Sequence, residues 1–131
     1  MEQNLPPGLP SEALESFSRL LEFPLDSQQS MQEAVDRYLA QVATASRRDK
    51  MVVDVGLAQA IALALKNLLG YNPATVPNQQ QRWIQAATRY FFLDDDSEPD
   101  TSSVIGFDDD AAVLNAVATA VGRSDLVVSI G

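Results

Sequence analysis

Between residues 51 and 69 the chain carries Met51, Val52, Val55, Leu57, Ile61, Leu63, Leu65, Leu68 and Leu69, and Gly70 comes directly after them. A helix that is apolar nearly all round has to be covered on most sides, and a glycine just past its last apolar residue is a common helix stop. The stretch is therefore expected to form a central helix over 49–69, the most buried of the fold. It is too short for a membrane span: the most apolar part, 55–65, is about half of the ~20 residues that crossing requires, and Gln59 interrupts it.

The rest of the sequence supplies covering helices with the same period. Leu14, Phe17, Leu20 and Leu21 recur at helical spacing after Ser11, an N-cap residue type, and Pro24 stops this helix, expected over 11–23. Over 28–45, Met31, Val35, Tyr38, Leu39 and Val42 share a stripe opposite Gln32, Glu33, Asp36 and Arg37, with Asp26 or Ser30 as the cap. Asn72 and Pro73 open a connection, and residues 75–78 offer a cap and a first-turn proline for a helix over 77–93. There Trp83, Ile84, Ala87, Tyr90 and Phe91 share a core face, with Phe92 off it. A last helix is expected over 108–121, with Val113, Leu114, Ala116, Val117 and Val121 as its apolar set and Gly122 as its stop.

Strand signals are confined to Leu126, Val127, Val128 and Ile130, a short run without a hairpin partner that is expected to pack on a helix or fray. With 131 residues, one core is the expectation. The expected fold class is all-α: a single domain of five helices over 11–131, after an irregular lead-in over 1–10 marked by Pro6, Pro7, Gly8 and Pro10. That lead-in has neither a basic start nor an apolar run, so a cytoplasmic protein is expected.

Chemistry is limited by what is missing. There is no cysteine and no histidine, which removes Cys- and His-based nucleophilic triads and the usual zinc and iron–sulfur ligand sets. Catalysis would have to run on carboxylates, Tyr, Lys or Ser, so an enzyme is disfavoured. The glycines form no phosphate-cradling loop.

The net charge of −9 is unevenly spread. Residues 94–110 hold eight acids (Asp94, Asp95, Asp96, Glu98, Asp100, Asp108, Asp109, Asp110) and no Lys or Arg, whereas the remainder holds ten acids against nine bases. A nearly neutral body thus carries one acidic segment inside a helix–loop–helix over 77–121. Nucleic acid is not an expected partner, because only Arg47, Arg48 and Lys50 form a basic cluster, read as decoration of a loop or helix start.

Within this segment the anchors Tyr90-x5-Asp96-x2-Pro99-Asp100-x5-Gly106-x2-Asp109-Asp110 stand at fixed spacing. The pattern resembles the YkvA-like family of small bacterial helical proteins, a domain of unknown function in which a helix ending in Tyr leads through a Pro/Asp-rich loop and a Gly to paired Asp residues opening the next helix. The likeness covers about 25 residues. Asp94 and Ser103 stand where that family usually has proline, which marks a divergent member with a less rigid loop. The resemblance implies a helical fold and makes Tyr90, Asp96, Pro99, Asp100, Gly106, Asp109 and Asp110 the motif positions. It implies no reaction.

The same residues admit several physical readings. As structure, one of Asp108, Asp109 or Asp110 caps the last helix, Pro99 and Gly106 shape the turn, and Asp96 and Asp100 bond loop amides or pair with Arg82 or Arg89. As a divalent cation site for Mg²⁺ or Ca²⁺, Asp96, Asp100, Asp109 and Asp110 would be the ligands, since oxygen donors suit hard ions. The segment is not an EF-hand: counted from Asp94, position six is Pro99 and position twelve is Ile105. As a docking surface it would steer a basic protein partner, and Asp94–Asp96 favour this because they come after a helix C-terminus, where the dipole disfavours anions. A metal-dependent hydrolase using the Asp cluster is the enzymatic rival. The function expected from the sequence is a non-catalytic interaction or scaffold module, with the metal-binding protein or hydrolase as its alternative.

Overall fold

The computed structural model describes residues 5–49, 55–93 and 108–128. The chain enters irregularly, as its prolines require, but it is packed down: Pro6 is buried, and Leu5 and Leu9 lie against the core. Gly8 sits at φ 90, and a Cβ there would meet only Ala116 Cβ at an ordinary 3.8 Å. Backbone conformation, rather than space, therefore asks for glycine.

A 3-10 turn, Ser11–Ala13, leads into helix α1, Leu14–Leu20. Ser11 does not cap it: the position before the turn is Pro10, and no side-chain cap bond forms. The helix is shorter than the expected 11–23. After Leu20 the Glu22 and Phe23 amides bond back only three residues, to Arg19 and Leu20, because the residue before Pro24 is pushed away from helical geometry. Phe17 is fully buried, but Leu14 is exposed despite lying on the expected stripe.

Helix α2, Gln28–Asp49, begins at neither expected cap. Ser27 Oγ accepts from the Ser30 amide at 3.0 Å, and Asp26 Oδ1 accepts from the Ser27 amide at 2.8 Å, so the two residues divide the capping work. Met31, Val35 and Val42 face the core as expected. The helix runs past 45 to Asp49, so positions 47 and 48 belong to it rather than to a loop or helix start.

Helix α3, Val55–Leu68, runs antiparallel to α2: Gln32 Nε2 donates to the Lys66 carbonyl, Lys66 Nζ pairs with Asp36 at 2.9 Å, and Gln28 Nε2 donates to the carbonyls of Leu69 and Tyr71. It ends at Gly70 without a left-handed cap. The Gly70 and Tyr71 amides bond to Asn67 and Leu68, three residues back, so the last turn tightens instead.

Helix α4, Asn78–Leu93, comes after an Asx turn in which Asn72 Oδ1 accepts from the Ala74 amide at 2.9 Å. The Pro77 carbonyl accepts from the Gln81 amide, so this proline stands just before the helix rather than in its first turn. From Trp83 to Phe91 every residue is buried. α4 packs against α1, α2, α3 and helix α5, Asp108–Ala120. The most buried helix is therefore α4, not the more apolar α3, whose Leu63 is 66% exposed. Tyr38 of α2 meets Phe91 edge-on, with ring centres 5.0 Å apart.

α5 closes the core with Val113, Leu114 and Val117 and stops as expected: Gly122 adopts φ 81, and the Gly122 and Arg123 amides bond to the Thr119 and Ala118 carbonyls. Beyond it a 3-10 turn, Ser124–Leu126, folds the chain back so that Val128 lies on α5. Among the described residues there is no strand, and no helix is long and apolar enough to cross a membrane. Over the described residues the architecture is all-α, five helices around one continuous core.

Candidate functional site

In sequence the acidic segment comes after the C-terminus of α4 and runs into the first turn of α5, and these two helices pack on each other. At its entry, Tyr90 and Phe91 are buried and Phe92 is half-buried. The aromatic stripe is therefore core packing, and it fixes where α4 lets the chain go. At its exit, Asp109 and Asp110 stand inside the first turn of α5 rather than ahead of it, where carboxylates complement the helix dipole. Consecutive helical residues point about 100° apart, and the pair diverges accordingly: Asp109 is exposed, whereas Asp110 is buried at 4% exposure.

Of the seven motif positions, the structure thus locates Tyr90, Asp109 and Asp110, while Asp96, Pro99, Asp100 and Gly106 lie outside the described residues, as do Asp94 and Asp95. No group of three or more acidic side chains suited to a metal occurs among the described residues. The two described members of the expected ligand set, Asp109 and Asp110, face solvent and interior respectively.

Arg82 and Arg89, expected to meet Asp96 or Asp100, turn toward the connection between α1 and α2. Arg82 donates to the Leu21 carbonyl at 3.2 Å and to Asn78 Oδ1. Arg89 donates to the Pro24 carbonyl at 3.1 Å and lies 5.0 Å over the Phe23 ring. Burial pushes the Arg89 pKa down, and nearby Asp26 works in the opposite direction. Beside it Gln85, fully buried, holds Asp26 at both backbone atoms: Oε1 accepts from the amide at 2.8 Å and Nε2 donates to the carbonyl at 2.9 Å. Nε2 also reaches the Tyr71 hydroxyl. Gln81 Nε2 does similar work on the carbonyls of Pro73 and Val76. These side chains hold the connections to α4 and fix the helix that launches the acidic segment.

Arg19, Lys66 and Arg123 pair with Glu15, Asp36 and Asp125, all at 3.1 Å or less and all exposed. Such surface pairs contribute little to stability, but they commit three of the body's cations to its own acids. The Arg123–Asp125 hydrogen bond holds the Asp125 carboxyl below its usual range and raises the Arg123 pKa.

A cleft of about 300 Å³ opens where the end of α3, the connection to α4 and the turn after α5 meet. Leu68, Val76, Ile84 and Val121 give it apolar walls, and Arg123 and Gln80 are also in its lining. The sequence gives no hint of it, because its walls come from three separate stretches of chain. It lies where α3 finishes and α4 begins.

Comparison with protein-family models, with curated proteins and with solved structures found no match to this chain.

Proposed function

We propose that the chain is a non-catalytic interaction or scaffold module that docks a basic protein partner through its acidic segment, residues 94–110. The charge distribution carries this reading: eight acids and no base in that segment, against ten acids and nine bases in all the rest. A concentration of one sign at one place raises association rate and selects partners of the opposite sign. The helical frame supports it, since α4 and α5, the helices on either side of the segment in sequence, pack against each other. Kinship with the YkvA-like family belongs to the same proposal and rests on the spacing from Tyr90 to Asp110.

The test compares the parent with a variant carrying Asn at positions 94, 95, 96 and 100, as bait for basic proteins from a cell extract. A basic protein retained by the parent, released as ionic strength rises and lost with the variant is the expected result. Equal retention by both would overturn the proposal. Melting with Mg²⁺ or Ca²⁺ at fixed ionic strength separates the metal alternative. Docking alone predicts no ion-specific change, whereas a saturable rise abolished by Asp109→Asn/Asp110→Asn would establish a cation site.

A further inference from the structure

The cleft of about 300 Å³ between the end of α3, the connection to α4 and the turn after α5 has an uneven lining. Leu68, Ile84 and Val121 are apolar, whereas Asn72, Gln80 and Arg123 are polar. Among the described residues that lining holds one cation and no acid, in a chain with 18 acids against nine bases. Its polar members keep hydrogen-bonding groups that no other described residue uses. Arg123 donates from Nε to Asp125 Oδ1 and from Nη2 to Asp125 Oδ2, both at 3.1 Å, which occupies one edge of the guanidinium and leaves Nη1 without a partner among the described residues. Asn72 Oδ1 accepts from the Ala74 amide at 2.9 Å, and Nδ2 of the same side chain is left over. The half-buried Gln80 makes no side-chain hydrogen bond within the described residues. A guanidinium presents five N–H groups in a rigid fork, and a carboxylate can take two of them side by side. Asp125 therefore holds the Arg123 plane in place while the other edge stays open to a second acceptor.

Apolar walls beside unused donors and one cation suit a molecule with an apolar body and one negatively charged, acceptor-rich end. Volume sets its size. A cavity of ~150 Å³ takes a benzene ring, so twice that space takes a compact body of roughly ten non-hydrogen atoms. We infer that this cleft is a binding site for a small monocarboxylate, with its carboxylate at Arg123 and its apolar body against Leu68, Ile84 and Val121. The Arg123 side chain is partly in water, so the carboxylate sets selectivity while burial of the body supplies most of the affinity. A cationic amphiphile of the same shape meets Arg123 as a like charge and is disfavoured. This site shares no residue with the acidic segment, and its failure or success leaves the docking of a basic partner untouched.

The experiment titrates octanoate into the full isotope-labelled chain and follows backbone amide NMR shifts, with acetate and octylammonium as controls at the same ionic strength. Saturable shifts centred on Gly70, Tyr71, Gln80 and Arg123 are expected for octanoate. Acetate at equal concentration should leave those amides in place, because it lacks the body. Octylammonium, read at the same amides, should need a concentration about fivefold higher or more for half-saturation. Arg123→Gln changes an exposed side chain and should weaken octanoate about fivefold, bringing the two amphiphiles to similar affinity. Val76→Trp, at a half-buried position of the lining, fills the space and should abolish the octanoate shifts. The inference is overturned if octanoate shifts rise linearly with concentration or spread over the whole surface, or if octylammonium binds in the cleft as tightly as octanoate. It is equally overturned if R123Q binds octanoate as tightly as the parent, or if V76W, as helical as the parent by circular dichroism, still binds it. Should V76W not fold, the R123Q comparison decides.

Discussion

On α3, Gly56, Ala60 and Leu63 face solvent in a sequence that is almost wholly apolar. On α4, Gln85, Thr88 and Arg89 are buried in a helix that opens on Asn78 and three glutamines. The two helices differ in what they pack against. α3 lies mainly on α2 and α5, whose backbone groups are already paired within each helix, so its buried side chains, Ala58, Ile61, Ala62, Ala64, Leu65 and Leu68, are all apolar. The polar bonds from Gln28, Gln32 and Lys66 gather at its C-terminal end. α4 also faces the connection between α1 and α2 and the turn that leads into it. There the backbone at Leu21, Pro24, Asp26, Pro73 and Val76 receives bonds from Arg82, Arg89, Gln85 and Gln81. A buried backbone group without a partner is costly, so a long polar side chain can be a core residue wherever loops meet a helix. Hydropathy alone ranks these helices in the wrong order.

Reversing the polarity of one residue on each helix is the sharpest way to break this comparison. Gln85→Leu keeps the volume but strands the Asp26 amide and carbonyl and the Tyr71 hydroxyl, and it should lower unfolding free energy in urea by about 3 kcal/mol. Ala86→Leu, adding bulk where the parent residue is fully buried, should cost about 2 kcal/mol by the same measurement. Arg89→Met should cost about 1 kcal/mol: the Pro24 carbonyl and the Phe23 ring lose their partner, but a desolvated charge is removed at the same time. Smallest of all, Leu63→Gln on α3 should change stability by less than about 0.5 kcal/mol, because the side chain is already mostly in water. If the apolar-to-polar change on α3 proved more damaging than the polar-to-apolar change on α4, the comparison would fail.

The range of each interaction decides how much of the molecule was legible in the sequence. Helical period is local, so all five helices could be read from Leu14, Val35, Ile61, Trp83 and Val117 and their neighbours. Gly122 was legible because a left-handed stop needs glycine whatever surrounds it. Gly70 looked the same but ends its helix by a tightened turn, a choice set by the connection that leads on to α4. Gln85 was invisible because its partner Asp26 is 59 residues away in the chain, and Asn115 because Val128 becomes its neighbour only after the turn at 122–126. Of the candidate site, the sequence identified the segment and its flanking Tyr90, Asp109 and Asp110. It could not tell that adjacent aspartates would part, Asp110 inward and Asp109 outward, since that depends on where α5 meets α4.

α4 is the most buried helix of the fold although it is not the most apolar, and native-state hydrogen exchange resolved by residue tests this most directly. The slowest amides should lie on α4 over 84–90 and exchange only by global unfolding, while those on α3 over 58–65 exchange at equal or lower free energy. Protection greatest on α3, with α4 opening in a smaller local event, would contradict it.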